Sequence, residues 1–329
     1  VTPVTFSLGD GTLDREKTTD ISLHHKSSLT TGLEGGEWNT WGAGAEFGGD
    51  QRGDDGQSLS FESQPLTQDI EIFGAADLKL SFCVDQPVAL AAVRLGDVWP
   101  TGETNRITFG LLNLNHIEGH ENPIHLVPGQ TYQVTIKLRD IAYIIPAGHR
   151  IRLSISTNYW PLAWPSPKPV TLTVHTGDCE LSLPIREGMS GVNVHPQFGA
   201  PVGSNLVEHH VLTAPDSTRQ ITRDVATEKT SYVVIRNAGS VHLTDTDVTY
   251  TSQGQASFEV CADDPLSMVH IEQQTQILES GDWHTRIEAK TELTATSEEF
   301  FLRGNVEAFE NGDRVFTKDW ETRNKREFI

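Results

Sequence analysis

Apolar residues recur at every second position through much of this chain, and that period leaves little choice of secondary structure. "DLKLSFCV" sets Leu78, Leu80, Phe82 and Val84 on one side, and "YQVTIKL" does the same with Tyr132, Val134, Ile136 and Leu138. "HRIRLSIS" alternates Ile151, Leu153 and Ile155, and "VTLTVHT" alternates Val170, Leu172 and Val174. Successive side chains of a strand point to opposite faces, so each run describes a strand with one buried side. Helical spacing is nearly absent. Glycine-bearing turns, "LVPGQT", "IPAGHR" and "HTGDCE", separate the runs. Short strands with such punctuation predict an all-β chain that begins with an antiparallel β-sandwich or jelly roll. In that register Arg150 and Arg152 lie on the outer face of their strand, opposite Ile151, Leu153 and Ile155, with Asp140 a nearby acidic partner for Arg152.

The period lapses between Arg186 and Val207. "EGMSGVNVHPQFGAPVGSN" is rich in Gly, Pro, Ser and Asn and reads as a linker. Alternation then returns in longer runs, among them "SVHLTDTDVTYTS", "MVHIEQQTQIL" and "WHTRIEAKTELTA". Within "VEAFENGDRVFTKDW" the Asn311-Gly312 pair supplies the positive φ values of a tight hairpin. The expected layout is a lead-in over 1–47, a jelly-roll domain over 48–187, a linker over 188–206, and a second antiparallel sheet or barrel-like domain over 207–329. At 329 residues the chain is long for a single core, which agrees with two units.

The formal net charge is −20, with 22 acids and 12 bases over 206–329 and 23 and 13 over 1–205, so each part carries −10. No basic patch or acidic tail stands out, which argues against nucleic acid and anionic membrane as partners. No apolar run approaches the ~20 residues of a membrane span, and the first residues have no basic start or apolar block. A cytoplasmic location is expected. Residue 1 is valine and the only methionines are Met189 and Met268, so the chain reads as an excised fragment of a longer polypeptide. Cys83, Cys179 and Cys261 are too few and too scattered for a disulfide framework and read as buried small hydrophobes.

The residues offer no complete active site. A serine elbow needs G-x-S-x-G; "GMSGV" at Gly188 and "GQSLS" at Gly56 both fail at the last position. His116, His120 and His125 form the densest histidine cluster, but their spacing fits no zinc motif and they read as a polar loop. The pairs His24, His25 and His209, His210 would point to opposite faces of a strand. In "GGDQRGDDGQS" the acids Asp50, Asp54 and Asp55 resemble a calcium loop without its order or closing glutamate, so a solvated turn is expected. No phosphate-cradling loop or dinucleotide fingerprint occurs, and no cofactor is expected.

One stretch invites a different question. "TNYWPLAWPSPKP" leaves the end of "HRIRLSIS" and sets Trp160 and Trp164 among four prolines. Either these indoles cap their own sandwich, or they present a surface to something else.

"GDQRGDDGQSLSFESQPLTQDIEIFGAADLKLSFCVDQPVALAAVRLGDVWPTGETNRITFGLLNL" resembles the opening of the β domain of the CocE/NonD hydrolases, the group of cocaine esterase and the X-prolyl dipeptidyl-peptidases. "LVPGQTYQVTIKLRDIAYIIPAGHRIRLSISTNYWP" resembles the same domain further on, and "PAGHRIRLSIS" is its most specific phrase. The resemblance covers Gly48–Ile185. Residues 206–329 resemble a trailing extension of one subgroup, through "DDPLSM", "GDWHTRIEAKTELTA" and "VFTKDWETRNKREFI".

The resemblance implies a non-catalytic C-terminal region whose partner is an N-terminal α/β-hydrolase domain of the same polypeptide. That domain would carry a serine–histidine–aspartate set, and no triad position falls on this chain. The parent would hydrolyse a small ester, amide or peptide through an acyl-enzyme. Tyr159, Trp160, Leu162 and Trp164 become candidate contacts with that domain, or a wall of its pocket. At least one indole should then be exposed here, and Trp160→Ala should barely change this chain's melting temperature. A carbohydrate-binding β-sandwich module is the alternative; it would show a flat row of exposed aromatics, whereas the jelly roll of the main reading would be of the galactose-binding-like kind. An independent enzyme is the third reading and lacks a visible nucleophile–base set.

Overall fold

In the computed structural model, residues 2–38, 47–186, 197–205 and 207–329 are described. The first thirteen strands are β1 (Thr2–Leu8), β2 (Thr12–Asp14), β3 (Ser22–Lys26), β4 (Leu59–Ser63), β5 (Ile70–Gly74), β6 (Asp77–Val84), β7 (Leu90–Val98), β8 (Thr104–Asn113), β9 (Tyr132–Lys137), β10 (Ile141–Ile145), β11 (Arg150–Ser156), β12 (Thr171–His175) and β13 (Glu180–Ile185). They form one sheet in the order β3-β12-β6-β13-β1-β2-β4-β11-β7-β8, which β5, β9 and β10 join off this path. Pairing is antiparallel except that β2 and β4 run parallel. Among the described residues a 3-10 turn, Leu33–Gly35, and one α-helical turn, Arg52–Asp55, precede β4. No helix among the described residues is long and apolar enough to cross a membrane.

The alternating residues meet in one core. Leu78, Leu80 and Phe82 of β6, Ile151, Leu153 and Ile155 of β11, and Leu172 and Val174 of β12 are all fully buried. Each such side chain contributes about 1.5–3 kcal/mol through removal from water. Arg150 and Arg152 do lie opposite the isoleucines, but Asp140 is not the partner of Arg152. Its guanidinium reaches Asp55 at 2.9 Å and Glu62 at 3.0 Å. The reason is register: β11 pairs with β4, which sets Arg152 directly across from Glu62.

The second sheet contains β14 (His209–Thr213), β15 (Asp216–Asp224), β16 (Lys229–Leu243), β17 (Val248–Cys261), β18 (Asp264–Ser280), β19 (Trp283–Ala295), β20 (Glu299–Glu310) and β21 (Asp313–Lys325). From β16 onward it is a meander of neighbours joined by tight turns, ending with β14 and β15 along β16 and with β21 at the far side. It does not close into a barrel. Asn311 and Gly312 adopt φ of 50° and 90°, as their hairpin requires. Of the expected linker, 188–196 and 206 lie outside the described residues, as does the near-miss serine motif at Gly188.

The two sheets are not independent in packing. A second apolar cluster joins Leu29 and Trp160 of the first part to Tyr232, Val234, Val260 and Met268 of the second. The cysteines are all free. Cys179 is buried, and burial pushes its thiol up to about 11. Cys83 and Cys261 are only half-buried, contrary to expectation, because each sits on the outer face of its strand.

Candidate functional site at the proline-rich loop

The segment after β11 is irregular because four prolines cannot donate to a ladder, yet its first half is tied down closely. Thr157 donates its amide to Ser27 Oγ at 3.0 Å, and the Asn158 side-chain amide reaches the carbonyl oxygen of Ser27 at 3.2 Å. The Trp160 amide donates to the Thr31 carbonyl at 2.8 Å, and the Ala163 amide to that of Tyr159 at 2.8 Å. Gly32, at φ 113°, lets the two backbones touch. A Cβ there would lie 2.7–2.8 Å from the backbone of Tyr159 and Trp160.

These bonds aim Tyr159 and Trp160 in different directions. Tyr159 is fully buried under Phe109, with ring centroids 5.6 Å apart, and accepts a hydrogen bond from Arg106. Burial pushes its phenol upward, against the pull of Arg106 and Arg94. Trp160, 1% exposed, enters the cluster shared with the second sheet and meets Tyr232 edge-on. Trp164 is half-buried, with its ring 5.7 Å from Phe300. The expectation of a substantially exposed indole is therefore corrected: the second sheet, whose strands begin some fifty residues later in the chain, covers both.

Leu162 is half-buried and lines one of two clefts that flank the loop. Its cleft, about 280 Å³, is walled by Trp38, Pro161, Tyr232, Phe258, His270 and Glu272, among others. His270 stacks flat on Phe258 at 4.1 Å, and burial holds its imidazole below the usual histidine range. At the mouth, Glu37 pairs with Arg219 at 2.9 Å and with Arg236. On the loop's other flank, Ala163 and Trp164 line a more apolar cleft of about 270 Å³ with Leu90, Leu111 and Ile329. The chain's last residues close that side: Arg326 donates to the carbonyls of Pro165, Thr296 and Ile329. Burial pulls Arg326 down to about 10, still protonated at neutral pH.

Beneath the loop lies an ionic cluster that sequence reasoning misread. Asp54 and Asp55 are not a solvated turn. Arg94, 3% exposed, sits 3.2 Å from Asp54 and 3.1 Å from Asp55. Asp54 also accepts the amides of Gly32 and Glu34 at 2.9 and 3.2 Å, and so holds the strap over the loop. Desolvation pushes the Asp54 carboxyl upward, with Arg94 opposing it. Glu34, also desolvated and near Asp54 and Asp50, is pushed upward too. The signal that could have been read was the pairing of "GDD" with an arginine on an otherwise apolar strand, "ALAAVRLGDV".

Other candidates do not assemble. The Nδ1 atoms of His116 and His120 are 3.0 Å apart, while His125 stacks on Phe328 instead. Asp50 is paired with Arg52 at 2.6 Å. Among the described residues no group of three or more His, Cys, Asp or Glu side chains is arranged to hold a metal. His149 binds Asp97 through Nδ1 at 2.7 Å, and Asp97 accepts a second bond from Tyr143 at 3.0 Å. This is the orienting half of a triad, and among the described residues no serine, threonine or cysteine side chain hydrogen-bonds His149.

Comparison with known proteins agrees with the fold. A stretch of 103 residues is 25% identical to the cocaine esterase of Rhodococcus sp. (strain MB1 Bresler), covering 31% of this chain and 18% of that protein. An α-amino acid ester hydrolase superposes over 56% of this chain and 36% of its own, with a TM-score of 0.51 and 20% identity. An aminopeptidase from a marine-sediment Thaumarchaeota archaeon superposes over 57% and 37%, with a TM-score of 0.50 and 18% identity. The match thus spans well under half of each relative. Residues 1–222 match the family described as the X-Pro dipeptidyl-peptidase C-terminal non-catalytic domain, a span that includes the lead-in, the whole first sheet and nearly all of β15. By that match, the chain belongs to the family of X-Pro dipeptidyl-peptidase C-terminal non-catalytic domains.

Proposed function

We propose that this chain is the non-catalytic C-terminal region of a CocE/NonD-type serine hydrolase, preceded in its polypeptide by an α/β-hydrolase domain. The family match over residues 1–222 carries this reading. The parent hydrolyses a small ester, amide or peptide bond through an acyl-enzyme, in keeping with relatives named as an esterase, an ester hydrolase and an aminopeptidase. Within it, residues 48–187 and 207–329 act as two units joined by 188–206. The proline-rich loop supports the catalytic domain and walls its pocket, with Leu162 and Trp164 facing the two clefts. Tyr159 and Trp160 hold that wall from inside. Three unpaired cysteines fit a reducing, cytoplasmic setting. The sugar-binding alternative draws no support from this loop, because Trp160 is buried and Trp164 half-buried rather than set in an exposed row.

The reading frame upstream of Val1 tests the proposal. It should encode a G-x-S-x-G elbow followed by an aspartate and a histidine, and replacing that serine by alanine should abolish hydrolysis by the full polypeptide. An upstream frame with no elbow would overturn it.

A further inference from the structure

The loop between β8 and β9 brings two imidazole nitrogens to the separation found between neighbouring ligands of one metal ion. His116 ends a 3-10 turn, Leu114–His116, and the chain then turns back, with the Gly119 amide donating to the His116 carbonyl at 3.0 Å. Gly119 takes φ 106° there, which costs a glycine nothing. The turn sets His116 Nδ1 3.0 Å from His120 Nδ1, with ring centroids 5.1 Å apart and planes at 54°. Two nitrogens each ~2.0–2.1 Å from an ion, at bond angles of about 90–110°, lie about 2.9–3.4 Å from each other.

The ends of this loop are fixed. Asn115 is fully buried, and its side-chain amide donates to the carbonyls of Pro87 and Ile124, both at 2.7 Å. Its side-chain oxygen accepts the Ala89 amide at 3.2 Å, and the Ile124 amide returns to the Asn115 carbonyl at 2.8 Å. Asn113, before the pair, donates to the Phe328 carbonyl at 2.6 Å, and His125, after it, stacks on the Phe328 ring at 4.7 Å. A loop already closed loses less freedom when a ligand bridges two of its side chains.

Charge favours a cation here. No lysine or arginine occurs between Arg106 and Lys137, while Glu118 and Glu121 stand on either side of His120 in the sequence and are exposed. The whole chain carries −20, and such a field raises the local concentration of cations. Without an ion, the two neutral rings share one proton, the Nδ1–H of one facing the lone pair of the other. An ion takes the place of that proton. The donor ring shifts its proton to Nε2 through water, and both Nδ1 atoms then give a lone pair to the ion.

The geometry points to a divalent transition-metal site at the Nδ1 atoms of His116 and His120. Imidazole nitrogen selects ions of the zinc, nickel and copper kind over magnesium and calcium, which take oxygen ligands. Among the described residues no third His, Cys, Asp or Glu side chain completes a set with them, so water fills the remaining positions. The site belongs to a loop of the first sheet and does not depend on what the parent hydrolyses.

Calorimetric titration of the 329-residue chain with zinc chloride at neutral pH tests this. One equivalent should bind most tightly, and His116→Ala or His120→Ala should weaken that binding at least about 10-fold. His210→Ala, on the second sheet, should leave it unchanged, and magnesium chloride should give no heat of binding. Should the variants misfold, modification of the unaltered chain by diethyl pyrocarbonate, read by peptide mass spectrometry, serves in their place: zinc should shield His116 and His120 together. Absence of zinc binding would overturn the inference, as would an affinity indifferent to both variants. So would equal modification of the two histidines with and without zinc, since the pair would then be joined by a proton alone.

Discussion

The Trp160 indole meets the Tyr232 ring edge-on, with centroids 6.4 Å apart and planes at 69°. That contact carries a loop of the first sheet into the face of the second. Both rings are nearly excluded from solvent, so the loop serves this chain's own packing before it serves any partner. Trp160→Ala should therefore destabilise the chain by about 3–5 kcal/mol, the usual loss for a buried tryptophan. Urea unfolding would register it as a lower midpoint. An unchanged midpoint would restore the expectation that the indole belongs to an external docking surface.

Arg94 is the only cation within reach of both Asp54 and Asp55 among the described ion pairs, although Arg152 shares Asp55. Arg94→Met should cost about 3–5 kcal/mol at neutral pH, because Asp54 would remain buried without its counter-charge. The Asp54 carboxyl is already pushed upward by burial, and the variant pushes it further. A carboxyl raised in the folded state loses stability as pH rises through its folded value, and the loss is relieved once it is protonated. The deficit of Arg94→Met should thus shrink between neutral pH and about pH 4. A deficit that stays constant or grows on acidification would contradict this electrostatic account.

Arg326 ties the tail to the proline-rich loop through main-chain oxygens of Pro165, Thr296 and Ile329. Arg326→Met strands those acceptors, and hydrogen bonds from a charged donor are worth about 1.5–3 kcal/mol each. Amide exchange should rise in β20 and around residues 160–166 while β6 and β11 stay protected. Uniform protection across the chain would show that the tail is not a strap.

Burial, together with its bond to Asp97, pushes the Tyr143 phenol up to about 12. Its unfolded value is near 10, so the folded state keeps a proton that the unfolded chain releases. Stability from this group is intact below about pH 10 and declines as pH rises towards 12. Tyr143→Phe should flatten that decline in alkaline urea titrations. An identical slope in the variant would place the pH dependence elsewhere, for instance at Tyr159 or Tyr232.

Strand positions and buried faces were legible because they depend on neighbours one and two residues away. Ile151, Leu153 and Ile155 could be assigned to the core from "HRIRLSIS" alone. Partners across the fold were not legible. Arg152 finds Glu62 and Asp55 ninety or more residues earlier, through strand pairing that periodicity does not encode. The two tryptophans were singled out by their proline-rich setting. What covers them was hidden, since Tyr232 and Phe300 belong to strands whose docking face shows only after assembly. Asp54 and Asp55 looked solvated because glycines surround them in sequence, whereas Arg94 lies above them in space.

Under the proposed function, this chain assists hydrolysis by its parent without performing it. The most direct test is turnover of a chromogenic ester by the purified 329-residue chain, beside the full polypeptide from which it derives. The account predicts hydrolysis by the full polypeptide and no rate above buffer for the chain alone. Saturable turnover by the chain, lost on substitution of His149 or Asp97, would contradict it and make the His149–Asp97 pair part of an active site.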